Sequence, residues 1–301
     1  MTIPARVGSI LRFEWLGATP TVRLILAPVM IAVFIAYYAT ILWTLAISFT
    51  SSSLLPQYDF VGVAQYTRLF GFLRWKVAFT NMFVFGIAFI FLTLIIGTIL
   101  AIAIDSRVHA ESAFRTVMLY PLSLSFIVVG LVWQWILDPG LGLQAAVRDL
   151  GFDSFTFDWI ARRDRVVYTL VIAAIWHSSG LIMAIMLAGL RGIDREIWRA
   201  AKVEGIPTRR IYISIVLPML RPMILTCVTL LAVAVVKNYE LVVAMTRGGP
   251  GNSSDMPSRF VVENLFERSN IGLGSAAAVV MLVSILAALA PYLYLELRKR
   301  A

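Results

Sequence analysis

Polar side chains interrupt a long apolar stretch at positions 176–180, where the chain reads Trp-His-Ser-Ser-Gly between aliphatic residues. Such groups are costly in an apolar medium and usually face a protein interior or a water-filled path. His177 and Ser178 could therefore contact a polar solute, or they could form hydrogen bonds that hold neighbouring helices together. Gly180 would permit close packing of another helix in either case. From the residues alone both interpretations stay open.

A second set of polar residues lies at the end of another apolar stretch. Lys237 and Glu240 are three residues apart, with Asn238 between them, so the two charges could neutralise each other on a helix. A solvated helix end is the alternative. Trp133 and Trp135 flank Gln134 and could form an aromatic wall of a solute site. Tryptophan near a helix end is also typical of a membrane interface, and we favour that interpretation.

The motifs expected of an enzyme are absent from the sequence. A phosphate-binding loop needs a lysine after glycine, and none of the four lysines follows one. His109 and His177 lie on separate segments and Cys227 is the single cysteine, so no zinc motif is present. We therefore expect no metal, no cofactor and no enzymatic activity in this chain.

The composition indicates a membrane protein. Hydrophobic residues make up 60% of the 301 residues, charged residues make up 14%, and the mean hydropathy is +0.85. A membrane-crossing helix needs about 20 mostly apolar residues. Runs of that kind occupy positions 24–49, 82–104, 116–137, 166–190, 211–236 and 273–297. The sequence thus predicts an all-α integral membrane protein with six transmembrane helices.

The basic residues predict the orientation of these spans. Six spans place both termini on one side, and that side holds 14 Lys and Arg residues. The longer loops on the other side hold 11, partly balanced by Asp and Glu. The termini and the 191–210 loop are therefore expected in the cytoplasm. This orientation explains the net charge of +9 without nucleic acid.

The fifth run is too long for one straight crossing. It stays largely apolar from 211 to 245, and a helix of that length would reach about 50 Å. Pro218 and Pro222 lie near its beginning, where proline bends or interrupts a helix. We expect a bend there and an interfacial first turn.

A short helix is predicted outside the membrane at 194–205. Asp194 can cap its amino end and Gly205 suits the left-handed position that ends a helix. Ile197, Ala200, Ala201 and Glu204 recur at helical spacing, a narrow face that another surface could approach closely. An ordinary amphipathic connector would show the same periodicity.

A longer motif begins on this helix. Arg199-Ala200-Ala201 is followed after three residues by Gly205, after nine more by Ile215, and then by Leu217-Pro218. Every spacing resembles the cytoplasmic signature of binding-protein-dependent ABC importer permeases, which reads Glu-Ala-Ala, Gly, Ile and Leu-Pro. One position departs from the signature, because the usual glutamate is Arg199 here, with Glu196 one turn earlier.

The resemblance extends over about two thirds of the chain, from 81 to 301. Met-Thr-Arg-Gly-Gly-Pro-Gly at 245–251 is similar to an element of the carbohydrate-type permeases, specifically the maltose and glycerol-phosphate group. Tyr120-Pro121 and Trp176 suit that group as well. The resemblance implies a five-helix permease core at 81–301, preceded by an N-terminal segment, 1–80, with the first span and an external loop.

The resemblance also implies two sets of functional residues. Coupling to a cytoplasmic ATPase would fall to residues of the 194–205 helix: Glu196, Arg199, Ala200, Ala201, Glu204 and Gly205. Solute would be held by residues of the fourth and fifth spans: His177, Ser178, Leu181, Leu231, Val235 and Asn238. Hydroxyl groups of a sugar need hydrogen-bonding partners, so His177, Ser178 and Asn238 are the stronger candidates.

The partners implied are those of an ATP-driven importer in a bacterial inner membrane. They are a second, related permease subunit forming a heterodimer, two cytoplasmic ATPase subunits, and an external solute-binding protein. The solute would be a sugar or related polyol, carried by alternating access. A secondary carrier is the alternative, although no internal repeat of the kind expected for one is visible.

Overall fold

The computed structural model describes residues 20–106 and 110–300, which form two compact units. One unit joins the beginning of the chain, up to Leu69, to its end, from Asn264 onward, and the other is the continuous segment Phe70–Glu263. Helices make up both units, and the described residues contain no β-strand beyond one isolated bridge between Thr50 and Phe60. The division predicted at residue 80 stays a prediction.

Fifteen α-helices are present in the described residues. The first unit holds α1 (Pro20–Val33), α2 (Thr40–Ile47), most of α3 (Ala64–Gly71) and α15 (Ile271–Arg300). The second unit holds α4 (Leu73–Asp105), α5 (Glu111–Leu119), α6 (Phe126–Ile136), α7 (Leu143–Asp149), α8 (Val166–Arg191), α9 (Arg195–Val203), α10 (Thr208–Ile211), α11 (Leu217–Met219), α12 (Arg221–Val236), α13 (Tyr239–Met245) and α14 (Pro257–Val262). Short π-helical or 3-10 segments continue several of them.

Four of the described helical stretches are long and apolar enough to cross a membrane: Ile25–Ile47, Leu73–Asp105, Val166–Arg191 and Ile271–Ala288. Two bent pairs meet the same requirement together: Glu111–Ser123 with Phe126–Ile136, and Thr208–Met219 with Arg221–Val236. The all-α membrane fold is therefore confirmed, with six spans when each bent pair counts as one.

The two bends have local causes. The run predicted as one span at 116–137 turns by 101° after Ser123, because Pro121 lies in a 3-10 turn and Ser125 begins the next helix by accepting a hydrogen bond from the Val128 N–H. The fifth run bends by 68° beside Pro218 and Pro222, as predicted.

The core of the second unit lies between α4 and α8, which pack along much of their length. Phe85 and Phe89 of α4 are buried and stack at 5.3 Å, while Ile182 of α8 is fully buried. A β-carbon on Gly97 would lie 2.6 Å from Cγ2 of Ile182, so the glycine is what lets the two helices approach.

Gly180 approaches the backbone of α5 so closely that alanine should not fit. A β-carbon there would lie 2.0 Å from the carbonyl oxygen of Met118, which confirms the predicted close packing. We expect Gly180→Ala to cost about 1–3 kcal/mol and to lower the melting temperature in detergent. Gly71→Ala is the matched control, because a β-carbon there meets nothing within 4 Å. Equal melting temperatures for the two variants would contradict the close approach.

In the first unit, the start of α15 lies against the segment that follows α2. The N–H of Gly272 donates to the carbonyl of Ser52 at 2.8 Å, and the side-chain amide of Gln65 donates to the carbonyl of Thr50 at 2.9 Å. Helix α15 also packs against α2. These contacts join the two ends of the chain within this unit.

Candidate functional site

Helix α9 is fixed at both ends by the residues that predict it. Asp194 accepts a hydrogen bond from the N–H of Glu196 at 2.9 Å. Gly205 adopts φ +69°, a left-handed conformation that favours glycine, and its N–H donates to the carbonyl of Lys202 at 3.1 Å. The predicted helix and both of its caps are confirmed.

One face of α9 lies against the chain's own helices. Ala201 is buried, and Ile197 and Trp198 are half-buried against the hydrophobic core. Ala200 and Glu204 are exposed. Only part of the face predicted for docking is therefore exposed, because this chain covers Ala201 and part of Ile197, whereas Ala200 and Glu204 are open to a partner. The small side chain of Ala201 lets α9 lie close to the bundle, and Ala200 points away from it.

A groove of about 760 Å³ runs beside α9, along the end of α8 and α10. The ring of Trp198 meets the ring of Tyr212 edge-on at 5.3 Å, and both side chains line the groove. The remaining lining residues are Asp105, Leu190, Arg191, Ile193, Arg195, Arg199, Lys202, Thr208 and Ile211. Four of the lining side chains are cationic and one is anionic, so the groove is strongly basic.

Carboxylates of the chain neutralise one of these four cations. Arg191 lies 3.6 Å from Asp105 and 2.8 Å from Glu111. Arg195, Arg199 and Lys202 form no ion pair with any residue that the structure describes. Three positive charges in the groove therefore lack an internal counterion among the described residues.

His177 is buried in α8 beside the bend between α5 and α6. Its Nε2 lies 3.3 Å from the carbonyl oxygen of Leu124, and its ring packs on Phe126 with centroids 4.1 Å apart. Its Nδ1 is buried without a hydrogen-bond partner among the described residues. Ser178 is also buried, and Leu181 is half-buried. The Leu124 contact holds the ring in place and leaves one ring nitrogen for another group.

Asn238 lies where α12 ends and α13 begins. Its backbone, at φ −75° and ψ +47°, interrupts the helix, and its buried Nδ2 has no hydrogen-bond partner in the described chain. The same interruption separates Lys237 from Glu240, and the structure shows no ion pair between them. The predicted pairing of these charges is therefore wrong, because it required a continuous helix.

Leu231 and Val235 are buried within the helix packing of the second unit. Val235 lies against Gly86 of α4, where a β-carbon on the glycine would be 3.2 Å from Cγ1 of Val235. All six candidate solute residues therefore lie on α8, on α12 or at the end of α12, and all are buried or half-buried in the single chain. None of them lines the groove beside α9.

A smaller cavity of about 470 Å³ lies beside α6 and α13, and its polar lining was not predicted. Gln134, Thr246 and Arg247 contribute hydrogen-bonding groups, and the apolar lining is Ile127, Leu131, Val243, Ala244 and Met245. Trp133 packs edge-on against Trp176 with ring centroids 6.0 Å apart, whereas Trp135 is 73% exposed. A membrane-interface position thus suits Trp135 better than Trp133.

A buried ion cluster, also missed in the sequence, joins the beginning of α4 to the segment before and within α14. Arg74 donates hydrogen bonds to Asp255 and Glu263, and Arg259 contacts the same two carboxylates at 3.0 and 3.5 Å. Asn81 donates to two carbonyls of that segment at 2.8 and 2.9 Å. The spacing of Asp255, Arg259 and Glu263 at i, i+4 and i+8 is the sequence pattern that could have predicted the pairing of Arg259 with both carboxylates.

Apolar spans with a short, capped helix between two of them are the arrangement that the resemblance to transport permeases implied. The chain belongs to the family described as the binding-protein-dependent transport system inner membrane component, whose model matches residues 94–301. It is therefore a multi-pass inner-membrane protein and a subunit of an ABC importer, and the secondary-carrier alternative is not supported.

Relatives cover nearly the whole chain. A probable ABC transporter permease of Pyrococcus horikoshii is 35% identical over 277 residues, 91% of this chain and 95% of the relative. The xylose/arabinose import permease of Haloferax volcanii is 30% identical over 269 residues, 88% of this chain and 84% of the relative. A bacterial ABC transporter involved in alginate import has the same fold, with a TM-score of 0.76 and 18% identity over 91% of this chain and 94% of that one.

Proposed function

We propose that this chain forms half of the path by which an ATP-driven importer moves a sugar or related polyol across the membrane. The observation that carries the proposal is α9, a capped and charge-bearing helix outside the spans of a chain in this family. Sugar import by relatives supports the solute class: one is a xylose/arabinose permease and another a trehalose/maltose permease of Thermococcus litoralis.

Helix α9 is the element that a cytoplasmic ATPase would move. Its caps make it a rigid body, and Ala201 and Trp198 attach it to the spans. Closure of two ATPase subunits on ATP would push α9, and the spans would rock between inward-facing and outward-facing states. In this arrangement both termini, parts of which lie outside the described residues, are cytoplasmic.

A second, related permease completes the solute path. The candidate solute residues are buried or half-buried by the helices of this chain, so movement of the spans would have to expose them to solute at the boundary with the second permease. His177 Nδ1 and Asn238 Nδ2 are the hydrogen-bonding groups without partners among the described residues, and sugar hydroxyls would satisfy them. Once the spans have moved apart, Ser178 would add a hydroxyl, and Leu181, Leu231 and Val235 would supply the apolar surface.

An external solute-binding protein would deliver the sugar at the end opposite α9. One of the solved alginate transporters was determined in complex with a periplasmic protein carrying an alginate pentasaccharide; it has a TM-score of 0.74 and 19% identity over 94% of this chain and 96% of that one. The segment before and within α14 would offer such a protein a stable surface. Ion pairs with Arg74 and a hydrogen bond from Asn81 hold this segment against α4.

The double variant His177→Ala with Asn238→Ala tests the solute site. We expect the transport KM for the sugar to rise about 5- to 150-fold, because each of the two lost hydrogen bonds to a neutral ligand is worth roughly 0.5–1.5 kcal/mol. Transport by purified complexes in liposomes measures this.

Thr93→Val is the matched control for that variant. Thr93 is buried in α4, and its hydroxyl has no hydrogen-bond partner in the part of the chain that the structure describes, but it is not among the candidate residues. Its KM should stay at the wild-type value. An unchanged KM and unchanged selectivity in the double variant would remove His177 and Asn238 from the site.

Identification of copurifying proteins tests the proposal as a whole. Purification in mild detergent followed by mass spectrometry should recover a second permease and an ATPase. Recovery of the chain without any ATPase, together with solute uptake that needs none, would contradict it.

A further inference from the structure

The cavity beside α6 and α13 is bounded by one face of each helix. Ile127, Leu131 and Gln134 of α6 recur at i, i+4 and i+7 and line it. Gly130 lies where the two helices touch, and a β-carbon there would be 2.6 Å from the β-carbon of Ala244. Because the glycine lets the helices approach this closely, the cavity lies between two helix faces that pack against each other.

Gln134 is a polar residue in an otherwise apolar helix. Its side chain is exposed and forms no hydrogen bond with any residue that the structure describes. Polar groups in a span are costly where they face lipid, and they usually face a protein interior or a water-filled path. The wall that carries Gln134 is therefore expected to meet water or protein.

Arg247 adds a positive charge that no described residue neutralises. It follows α13, is exposed, and forms no ion pair with any part of the chain that the structure describes. The described lining of the cavity contains no carboxylate. The hydroxyl of Thr246 is already engaged, since it donates to the carbonyl of Val242 at 3.1 Å and accepts from Ser254 at 2.8 Å. Gln134 and Arg247 thus remain available to a ligand.

The cavity lies at the end of the spans opposite α9. Gly189, near the end of α8 that leads into α9, lies against Met223 at the start of α12, where a β-carbon on the glycine would be 2.7 Å from Cγ of Met223. Helix α12 therefore begins beside α9 and leads away from it to α13. The turn at Arg247 is at the far end, which faces outward in the proposed function.

We propose that this cavity is the outer entrance of the solute path and that Arg247 determines which solutes enter it. This rests on the proposed function and concerns residues away from His177 and Asn238. Gln134 would bind hydroxyl groups, and the guanidinium of Arg247 would attract acidic groups and repel the ammonium of an amino sugar. The entrance thus favours neutral or acidic sugars over cationic ones.

Cysteine labelling from the outside tests whether water fills the cavity. Leu131→Cys lies in the lining, and Val132→Cys is the matched control, because Val132 is similarly exposed, at 37% against 43%, but does not line the cavity. The native chain is the blank, since its single cysteine, Cys227, is buried. In right-side-out membrane vesicles, a water-soluble thiosulfonate should label Leu131→Cys much faster than Val132→Cys, because the reactive thiolate is disfavoured in apolar surroundings. Equal rates, or labelling of neither, would overturn the proposal.

The same cysteine measures the charge of the entrance. In the Leu131→Cys chain, the rate with an anionic sulfonate reagent is divided by the rate with a cationic ammonium reagent. Adding Arg247→Gln should lower this ratio about fivefold or more, because the lost charge acts on the two reagents with opposite sign. Adding Arg247→Lys should keep the ratio. An unchanged ratio with Arg247→Gln would overturn the role of Arg247.

Transport separates this proposal from the proposed function, because the labelling itself needs no ATP. Labelled Leu131→Cys should lose uptake of the radiolabelled sugar that the binding protein carries, whereas Val132→Cys treated in the same way should keep it. Full uptake through labelled Leu131→Cys would overturn the entrance. Uptake that is blocked by the label but needs no ATP would support the entrance and contradict the proposed function.

Discussion

Replacing Ala200 by tryptophan is expected to leave the chain folded and to release the ATPase. Ala200 is exposed on α9, so a larger ring there would leave the buried contacts of this chain in place, but it would occupy the space of a closely docked partner. Overpacking costs roughly 1–3 kcal/mol, which corresponds to an affinity about 5- to 150-fold weaker. Solute-stimulated ATP hydrolysis and transport should fall together.

Ala146→Trp is the matched control for this variant. Ala146 is also exposed on a short helix outside the spans, on α7. It should keep the ATPase at the wild-type level, measured as the ratio of ATPase to permease after purification. If Ala200→Trp kept that ratio and its ATP hydrolysis as well, α9 would not be the docking element.

Replacing Arg74 by alanine is expected to be the most destabilising single change considered. Asp255 is fully buried, and with Arg74 removed two carboxylates would share Arg259. Removing one partner of a buried ion pair costs about 3–5 kcal/mol, because the remaining charge is left uncompensated. The melting temperature in detergent should fall by on the order of 10 °C, and the segment that precedes α14 should become accessible to protease.

Arg162→Ala is the control for that change. Arg162 pairs with Asp158 at 2.8 Å, but both side chains are substantially exposed, and exposed pairs contribute about 0–1 kcal/mol. Its melting temperature should stay within a few degrees of wild type. If Arg74→Ala were as stable as Arg162→Ala, the cluster would not hold the segment in place.

Local signals in the sequence were sufficient to predict where α9 begins and ends. Its start and end depend on Asp194 and Gly205, whose hydrogen bonds reach only two or three residues. The two prolines likewise predicted the bend of the fifth run. The direction of Ala201 could not be predicted, because periodicity gives a shared face and does not say whether that face meets the chain itself or a partner.

Features that depend on distant residues were missed. Arg74 and Asp255 are 181 positions apart, and no local pattern links them. The 101° turn between α5 and α6 was read as a straight span, since hydropathy measures length and polarity but not direction. The residues alone left His177 and Ser178 open between solute contact and helix packing, and the family resemblance supplied the full set of six solute residues. The structure adds that His177 and Asn238 each bury a nitrogen without a described partner.

Transport in liposomes that contain the purified components tests whether the chain is part of an ATP-driven sugar importer. The chain would be reconstituted with its second permease, its ATPase and the binding protein, and uptake of the radiolabelled sugar carried by that binding protein would be measured with and without enclosed ATP. We expect uptake with enclosed ATP and none when ATP or the ATPase is omitted. Sugar uptake by the chain alone, without ATP, would contradict the account.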